Sequence, residues 1–109
     1  MPREQLQTLS EPMYFVLLAL RQPMHGYEIM QVVSTISNER VKVGAGTLYA
    51  LLTRFEKEEI VIRLNDDGRR KTYALTEKGR GFLDREYARL KESISAYDVY
   101  MKGYQHYEN

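Results

Sequence analysis

The chain has 109 residues, a length that suits one folded domain rather than two. Hydrophobic residues make up 43% and charged residues 28%, which is typical of a folded protein and excludes a disordered or collagen-like chain. There is no cysteine, so disulfides, thiolate zinc sites and cysteine nucleophiles are excluded. No apolar run approaches the ~18 residues of a membrane span, and the start MPREQLQTLSEP lacks the apolar core of a signal peptide. We therefore expect a cytoplasmic protein with no membrane partner.

Positive charge is concentrated in the middle of the chain. The net charge is +1, but residues 40–75 carry eight bases and five acids, net +3, whereas residues 1–39 are net −2 and residues 76–109 are neutral. A basic middle third is one indication of a surface that binds a polyanion such as nucleic acid.

The first part of the chain predicts two helices. The sequence Ser-Glu-Pro from Ser10 is a capping sequence, and the apolar run after it predicts a buried helix over about residues 11–20. A second helix is expected from about Gly26 to Ser37, with an apolar stripe at near-helical spacing. That stripe consists of Tyr27, Met30, Val33 (or Val32) and Ile36.

A third helix and a hairpin follow the turn marked by Gly44 and Gly46. The third helix begins near Thr47 and has four apolar residues at i, i+3, i+4 and i+7, which places them on one face. These residues are Leu48, Leu51, Leu52 and Phe55. Between residues 60 and 75, two alternating segments flank the turn sequence Asn-Asp-Asp-Gly from Asn65, which predicts a two-stranded hairpin with a basic second arm.

The last segment predicts a long helix capped by Thr76. Its apolar positions are separated alternately by four and three residues, an a/d pattern over three heptads. A helix of about 25 residues is ~37 Å long, more than the preceding core can cover. We therefore expect a homodimer formed through this helix. The predicted interface positions are Leu83, Tyr87, Leu90, Ile94, Tyr97, Met101 and Tyr104.

Together these elements predict an α+β, mostly helical fold: a winged helix-turn-helix over residues 1–76 and a C-terminal dimerisation helix over residues 77–109. In such a fold the third helix presents one face to the core and the other to the major groove of double-stranded DNA. The basic hairpin arm reaches phosphates or a minor groove. The candidate DNA-binding residues are Lys42, Thr47, Tyr49, Ala50, Thr53, Arg54, Arg69, Arg70 and Lys71.

Three segments carry a family resemblance. HGYEI from His25, GTLYALLTRFEKEEIV from Gly46 and GRRKTYALTEKG from Gly68 resemble, in order and spacing, the PadR family of bacterial transcriptional regulators. The resemblance covers about residues 8–80, and the single helix after it is similar to the smaller PadR subfamily, in which that helix mediates dimer formation. The resemblance implies a homodimeric repressor of nearby genes that is relieved by a small molecule or a stress signal. Some small members stack aromatic drugs on a tryptophan, which this chain lacks.

Several candidate DNA contacts have an alternative interpretation. Tyr49 either faces DNA or belongs to the core, and Thr47 either contacts DNA or caps the third helix. Arg54 either contacts DNA or pairs with Glu58 four residues on. The basic run that begins at Arg69 either contacts phosphates or is a solvated hairpin face.

The C-terminal tyrosines and the remaining polar residues also leave alternatives open. A group near the C-terminus either packs at the dimer interface or lines a cavity for a small aromatic effector. This group is Tyr97, Tyr100, Met101 and Tyr104. His25 is expected to cap or pack rather than to bind metal. Since no catalytic motif is present, we expect no enzyme activity, no cofactor and no metal. A winged helix that binds a protein partner instead of DNA is the alternative function.

Overall fold

The computed structural model describes residue 6, residues 8–64 and residues 71–108. Four helices and three strands follow one another along the chain as α1 (Glu11–Ala19), β1 (Met24–His25), α2 (Gly26–Ile36), α3 (Ala45–Lys57), β2 (Val61–Leu64), β3 (Thr72–Leu75) and α4 (Glu77–Tyr100). The strands form one antiparallel sheet in the order β1-β3-β2. This architecture confirms the predicted winged helix-turn-helix with a long C-terminal helix.

Two hydroxyl caps predicted from the sequence begin the first and last helices. Ser10 Oγ accepts a hydrogen bond from the Met13 amide at 3.4 Å, with a proline in the first turn of α1. Thr76 Oγ1 accepts from the Gly79 amide at 2.9 Å and donates to the carbonyl oxygen of Glu59 at 2.6 Å. The second cap therefore ties the start of α4 to the segment between α3 and β2.

The core-facing side of α3 is the predicted one. Leu48, Leu52 and Phe55 are buried and Leu51 is half-buried. They pack in one cluster with residues of α1, α2, the sheet and the start of α4. Because this face is fixed by the core, the opposite face of α3 is left exposed.

The predicted core stripe of α2 is wrong at its two ends, Tyr27 and Ile36, whereas Val33 is buried and Met30 packs half-buried against the core. The buried residues of α2 are Gly26, Ile29 and Val33, whereas Tyr27 is 63% and Ile36 41% exposed. The helix begins directly after β1, which pairs with β3, and this junction turns Gly26 inward and Tyr27 outward. The two-residue strand β1 is too short to give a periodic signal, so the sequence predicted only the two-stranded hairpin.

The C-terminal helix is shorter than its apolar pattern. α4 has 24 residues and ends at Tyr100, with Met101 as its C-cap. The chain turns at Gly103, whose φ of +79° lies in the left-handed region that glycine adopts readily. Tyr104 therefore lies outside the helix, and the predicted continuous helical pattern to that residue is wrong. Leu83 is also buried in the chain's own core, with 8% of its surface exposed.

Candidate nucleic-acid interface

The exposed face of α3 is lined by small and hydroxyl-bearing side chains. Thr47, Tyr49, Ala50 and Thr53 are all exposed, on the side opposite the buried leucines. The helix N-cap is Gly44, so Thr47 is not the capping residue. Short side chains near the N-terminus of this helix let its backbone approach another surface closely. The outward face of α3 is therefore shaped to enter a groove on another molecule.

Two polar side chains of α3 have partners within the protein. Thr53 Oγ1 donates to the Tyr49 carbonyl oxygen at 2.8 Å, so its proton is engaged and its oxygen can still accept. Arg54 Nε donates to Glu58 Oε2 at 3.1 Å, and Arg54 is half-buried. The pairing of Arg54 and Glu58, one of the two interpretations of Arg54, is therefore present in the fold.

Lys42 stands on the loop that leads into α3. It is exposed between buried Val41 and Val43, because the backbone there alternates between core and surface. Ser37, which is only 3% exposed, fixes this loop: its hydroxyl accepts from the Val41 amide at 3.0 Å and donates to the Val41 carbonyl at 3.2 Å. A serine at a helix end has no distinctive sequence pattern, so the role of Ser37 could not be predicted from the sequence.

Tyr49 stands at the surface, not in the core. It is 45% exposed, and its ring lies over the backbone of Gly26 at the start of α2. A cleft of about 460 Å³ opens beside it. The cleft is lined by His25, Gly26, Tyr27, Glu28, Tyr49, Lys71 and Tyr73. The structure thus brings Tyr49 of α3 and Lys71 of the hairpin arm to one cleft.

Only part of the basic hairpin arm is described. Arg69 and Arg70 lie outside the described residues, as does the Asn-Asp-Asp-Gly turn. Lys71 is exposed next to the first residue of β3. His25, at the N-cap of α2, donates its amide to Glu28 Oε1 at 2.9 Å, and its Nδ1 lies 3.2 Å from Thr72 Oγ1. His25 thus occupies the N-cap position and its ring lies against Thr72, in line with the prediction that it caps or packs.

The positions predicted for the dimer interface divide into two groups. Leu83 is buried within the chain, whereas Tyr87, Ile94 and Tyr97 are 55–65% exposed and Leu90 is half-buried. Every residue from 91 to 100 is exposed. The distal half of α4 therefore contributes little to the core of its own chain.

The residues proposed for an effector site are also open to solvent. Tyr97, Tyr100 and Tyr104 are 65%, 88% and 63% exposed, and Met101 is half-buried. They lie at the end of α4 and in the turn that follows it. Side chains this exposed do not enclose a cavity within one chain.

A buried carboxylate on α4 holds the segment that precedes α1. Glu86 is 4% exposed and accepts hydrogen bonds from Arg89 Nε and from the Leu9 amide, both at 2.8 Å. The hydrogen bond from Arg89 lowers the pKa of Glu86. The Leu6 amide donates to Glu58 Oε1 at 2.8 Å. The segment before α1 is thus bound to α4 at one point and to the end of α3 at another.

Comparison with known proteins identifies the family. The sequence profile of the transcriptional regulator PadR-like family matches residues 16–85, the helix-turn-helix and sheet together with the start of α4. The chain is a member of the PadR-like family. Within the described residues no helix is both long enough and apolar enough to cross a membrane. The same part of the chain contains no group of three or more His, Asp or Glu residues able to hold a metal ion.

Relatives of this PadR-family chain occur among both sequences and solved structures. An uncharacterized protein named X from Lysinibacillus sphaericus is 36% identical over 93 residues, which are 79% of this chain and 83% of that protein. A PadR-like transcription factor from Bacteroides fragilis is 30% identical, with a TM-score of 0.67 over 80% of this chain and 86% of the other. A PadR family transcription regulator from Clostridium difficile shares the fold, with a TM-score of 0.71 at 19% identity over 84% of this chain and 99% of the other.

Proposed function

We propose that this PadR-family protein is a homodimeric repressor that binds an inverted-repeat operator in double-stranded DNA. The observation that carries the proposal is the division of α3 into two faces. Its leucines and Phe55 are buried, and the opposite face offers exposed Thr47, Tyr49, Ala50 and Thr53. A helix that is anchored in the core by its apolar face and carries mostly short or hydroxyl-bearing side chains on its outward face suits insertion into the major groove.

Positive side chains flank this face of α3. Lys42 precedes the helix and Lys71 lies at the hairpin arm, and both are exposed. Cations on both sides of an inserted helix would meet the phosphates that border the groove and set the orientation of the protein. In this arrangement the side chains of α3 read base edges and the arm, with Arg69 and Arg70, supplies charge.

Dimer formation is proposed through α4. Residues 1–76 then form the DNA-binding unit and residues 77–109 the dimerisation unit. The support is the exposed apolar seam of Tyr87, Ile94 and Tyr97 with half-buried Leu90, on a helix whose distal half lies outside the core. A two-fold dimer presents two copies of α3, so the half-sites would be inverted and about one helical turn, 34–36 Å, or a multiple of it apart.

In this proposal a small aromatic effector that binds between the C-terminal segments of two copies releases the DNA. Tyr97, Tyr100, Met101 and Tyr104 would enclose a site only if a second copy covered them. Tyrosine and methionine side chains suit an adaptable aromatic site, and they equally suit plain interface packing. Binding of an aromatic ligand to the dimer but not to a monomeric variant would favour the effector site.

The test of DNA binding is selection of duplexes from a random-sequence pool by the purified protein. We expect enrichment of an inverted repeat, and an affinity for it that falls steeply as salt rises. Enrichment of no sequence, with no binding even at low salt, would contradict the proposal. That result would favour the alternative winged-helix module that binds a protein partner.

A further inference from the structure

Tyr27 is an exposed aromatic residue for which the fold gives no packing role. It follows Gly26 in the first turn of α2 and is 63% exposed, although helical spacing alone would place it in the core. Exposed aromatic residues carry an apolar surface that water solvates poorly, together with a hydroxyl that can donate a hydrogen bond. Tyr27 borders the cleft of about 460 Å³ beside Tyr49.

The cleft draws its lining from β1, α2, α3 and β3, together with Lys71, on the α3 side of the molecule. Tyr27 comes from α2 and Tyr49 from α3, and Lys71 directly precedes β3. Its position lies between the outward face of α3 and the hairpin arm, the two surfaces proposed to contact DNA. A group bound there would be next to the inserted helix without being in the groove itself.

The chemistry of the cleft suits an anion. Lys71 is an exposed cation, and the phenol groups of Tyr27 and Tyr49 are hydrogen-bond donors. The carboxylate in the lining, Glu28, already accepts the His25 amide at 2.9 Å. The His25 ring is held against Thr72, with Nδ1 3.2 Å from Oγ1. Lys71 and the phenol of Tyr27 are therefore the groups in the cleft best suited to bind an incoming phosphate.

We propose that this cleft holds one phosphate of the DNA backbone in each half-site, with Tyr27 as a phosphate-binding residue beside Lys71 and Tyr49. The inference rests on the proposed function, because it places α2, the first helix of the helix-turn-helix, on the DNA strand that borders the major groove occupied by α3. Tyr27 then fixes the position of the protein on DNA and carries no sequence information.

The test compares Tyr27→Phe with Tyr107→Phe on a selected duplex and on a random-sequence duplex. Each variant removes one hydroxyl from an exposed tyrosine, and Tyr107, which is 77% exposed near the C-terminus, has no place in the proposed DNA surface. Because Tyr27→Phe removes a hydrogen bond to a charged group in each half-site, two in the dimer at about tenfold each, we expect it to weaken binding about a hundredfold on both duplexes. We expect Tyr107→Phe to bind like the wild type.

A second arm identifies the phosphate. Each backbone phosphate of the selected duplex is replaced in turn by a neutral methylphosphonate, and binding is measured with the wild type and with Tyr27→Phe. We expect one position in each half-site at which the substitution weakens the wild type by about tenfold and the variant by much less, since the variant has no hydroxyl to donate there. Addition of inorganic phosphate at constant ionic strength should not displace the duplex from either protein.

Three results would overturn the inference. Wild-type affinity in Tyr27→Phe would show that its hydroxyl makes no contact. Weakening without any change in the methylphosphonate pattern would show that Tyr27 acts through its neighbours. Displacement of DNA by free phosphate at constant ionic strength would show a site for a small anion instead. If the wild type binds no duplex at all, the proposed function itself fails, and this outcome is distinct from the other three.

Discussion

The ring of Tyr49 on α3 occupies the space that a side chain at Gly26 on α2 would need. A β-carbon built at Gly26 would stand 2.9 Å from Cζ of Tyr49 and closer still to its hydroxyl oxygen. Gly26 is buried under this ring, whereas Tyr49 remains 45% exposed. The two helices of the helix-turn-helix are therefore in contact at the surface through one aromatic side chain, which positions the phenol on the outward face of α3.

The first prediction follows from this packing of Tyr49 on Gly26. Gly26→Ala should displace the end of the Tyr49 side chain, which can move because it is partly exposed. Alanine favours a helix over glycine by up to about 1 kcal/mol, so the free energy of unfolding should change little. DNA affinity should fall, since the phenol no longer stands in its place. Thermal unfolding and DNA titration on the same preparation measure both effects.

Gly81→Ala is the matched control for Gly26→Ala. It is the same substitution within α4, where the new β-carbon would meet only Arg85 Nη1, at 3.4 Å. It should leave DNA affinity unchanged. A Gly26→Ala protein that binds DNA as the wild type does would show that the position of Tyr49 is unimportant for binding.

The second prediction separates the two interpretations of Tyr49. Tyr49→Ala should reduce affinity for the selected duplex while changing the free energy of unfolding by about 0.5 kcal/mol or less, because the side chain is not part of the core. Leu52→Ala, one turn away on the buried face, should destabilise by about 2–5 kcal/mol. Urea unfolding compares the two variants. A loss for Tyr49→Ala as large as that for Leu52→Ala would instead favour the core-aromatic interpretation.

How far the sequence predicts each element depends on how regularly its apolar residues are spaced. Four apolar residues at helical spacing identify the core face of α3, and a hydroxyl cap identifies the start of α4 at Thr76. Tyr27 is misassigned to the core face of α2 because it fits the apolar spacing, and nothing in the local pattern reveals that pairing of β1 with β3 turns Gly26 inward. Long-range pairing of two residues has no periodic signal.

In the candidate site, too, the sequence predicts the parts that have a periodic pattern and misses those formed by contacts between distant segments. The outward face of α3 is predictable because it is the complement of a predictable core face. The cleft between Tyr27 and Lys71 brings together α2, α3 and the start of β3, which are distant in sequence, so no local motif reveals it. The carboxylate of Glu86 is likewise hidden, because its partner Leu9 lies 77 residues away. The length of α4 is predicted well, whereas its end is not, since the apolar spacing continues beyond Tyr100.

The third prediction concerns the dimer. Replacing Leu90 and Ile94 together by Asp places two charges on the proposed seam and should give monomers in light scattering. Ala88→Asp with Ser95→Asp is the matched control, because both residues are exposed and lie off the seam, and this variant should remain dimeric. A folded dimer after the double change at Leu90 and Ile94 would place the interface elsewhere.

The fourth prediction is the pH dependence of the hydrogen bonds made by Glu86. Its pKa is lowered from the usual value of 4.5, chiefly by the hydrogen bond from Arg89, so the folded state prefers the ionised carboxylate. The stabilisation is therefore present in full above the pKa of the unfolded chain and disappears as the pH falls through the lower folded value. Glu86→Gln should lower the melting temperature at neutral pH, and its difference from the wild type should shrink below about pH 4.5.

Glu92→Gln is the matched control for Glu86→Gln. It removes one carboxylate from an exposed position of the same helix and should change the free energy of unfolding at neutral pH by less than about 0.5 kcal/mol. Glu86→Ala should lower the free energy of unfolding more than Glu86→Gln does. The Leu9 amide donates to Glu86 Oε2 at 2.8 Å, and alanine leaves this amide without an acceptor, which costs about 1–3 kcal/mol. A difference in melting temperature between the wild type and Glu86→Gln that stays the same at all pH values would contradict the assignment of the pKa shift to this carboxylate.

The last prediction divides the work of DNA binding between α3 and the hairpin arm. Arg69 and Arg70 follow the Asp-Asp-Gly sequence of the predicted turn, from which we expect them to reach phosphates without being held for paired contacts to base edges. Arg69→Ala with Arg70→Ala should weaken binding by a similar factor on the selected and on the random duplex. The slope of log affinity against log salt should become shallower by about 0.9 for each phosphate that the variant no longer neutralises. Arg85→Ala with Lys102→Ala removes the same charge from α4 and the turn after it, and should leave the slope nearly unchanged. Weaker binding to the selected duplex alone, with an unchanged slope, would show that the arm reads bases, as an arginine inserted in a minor groove does.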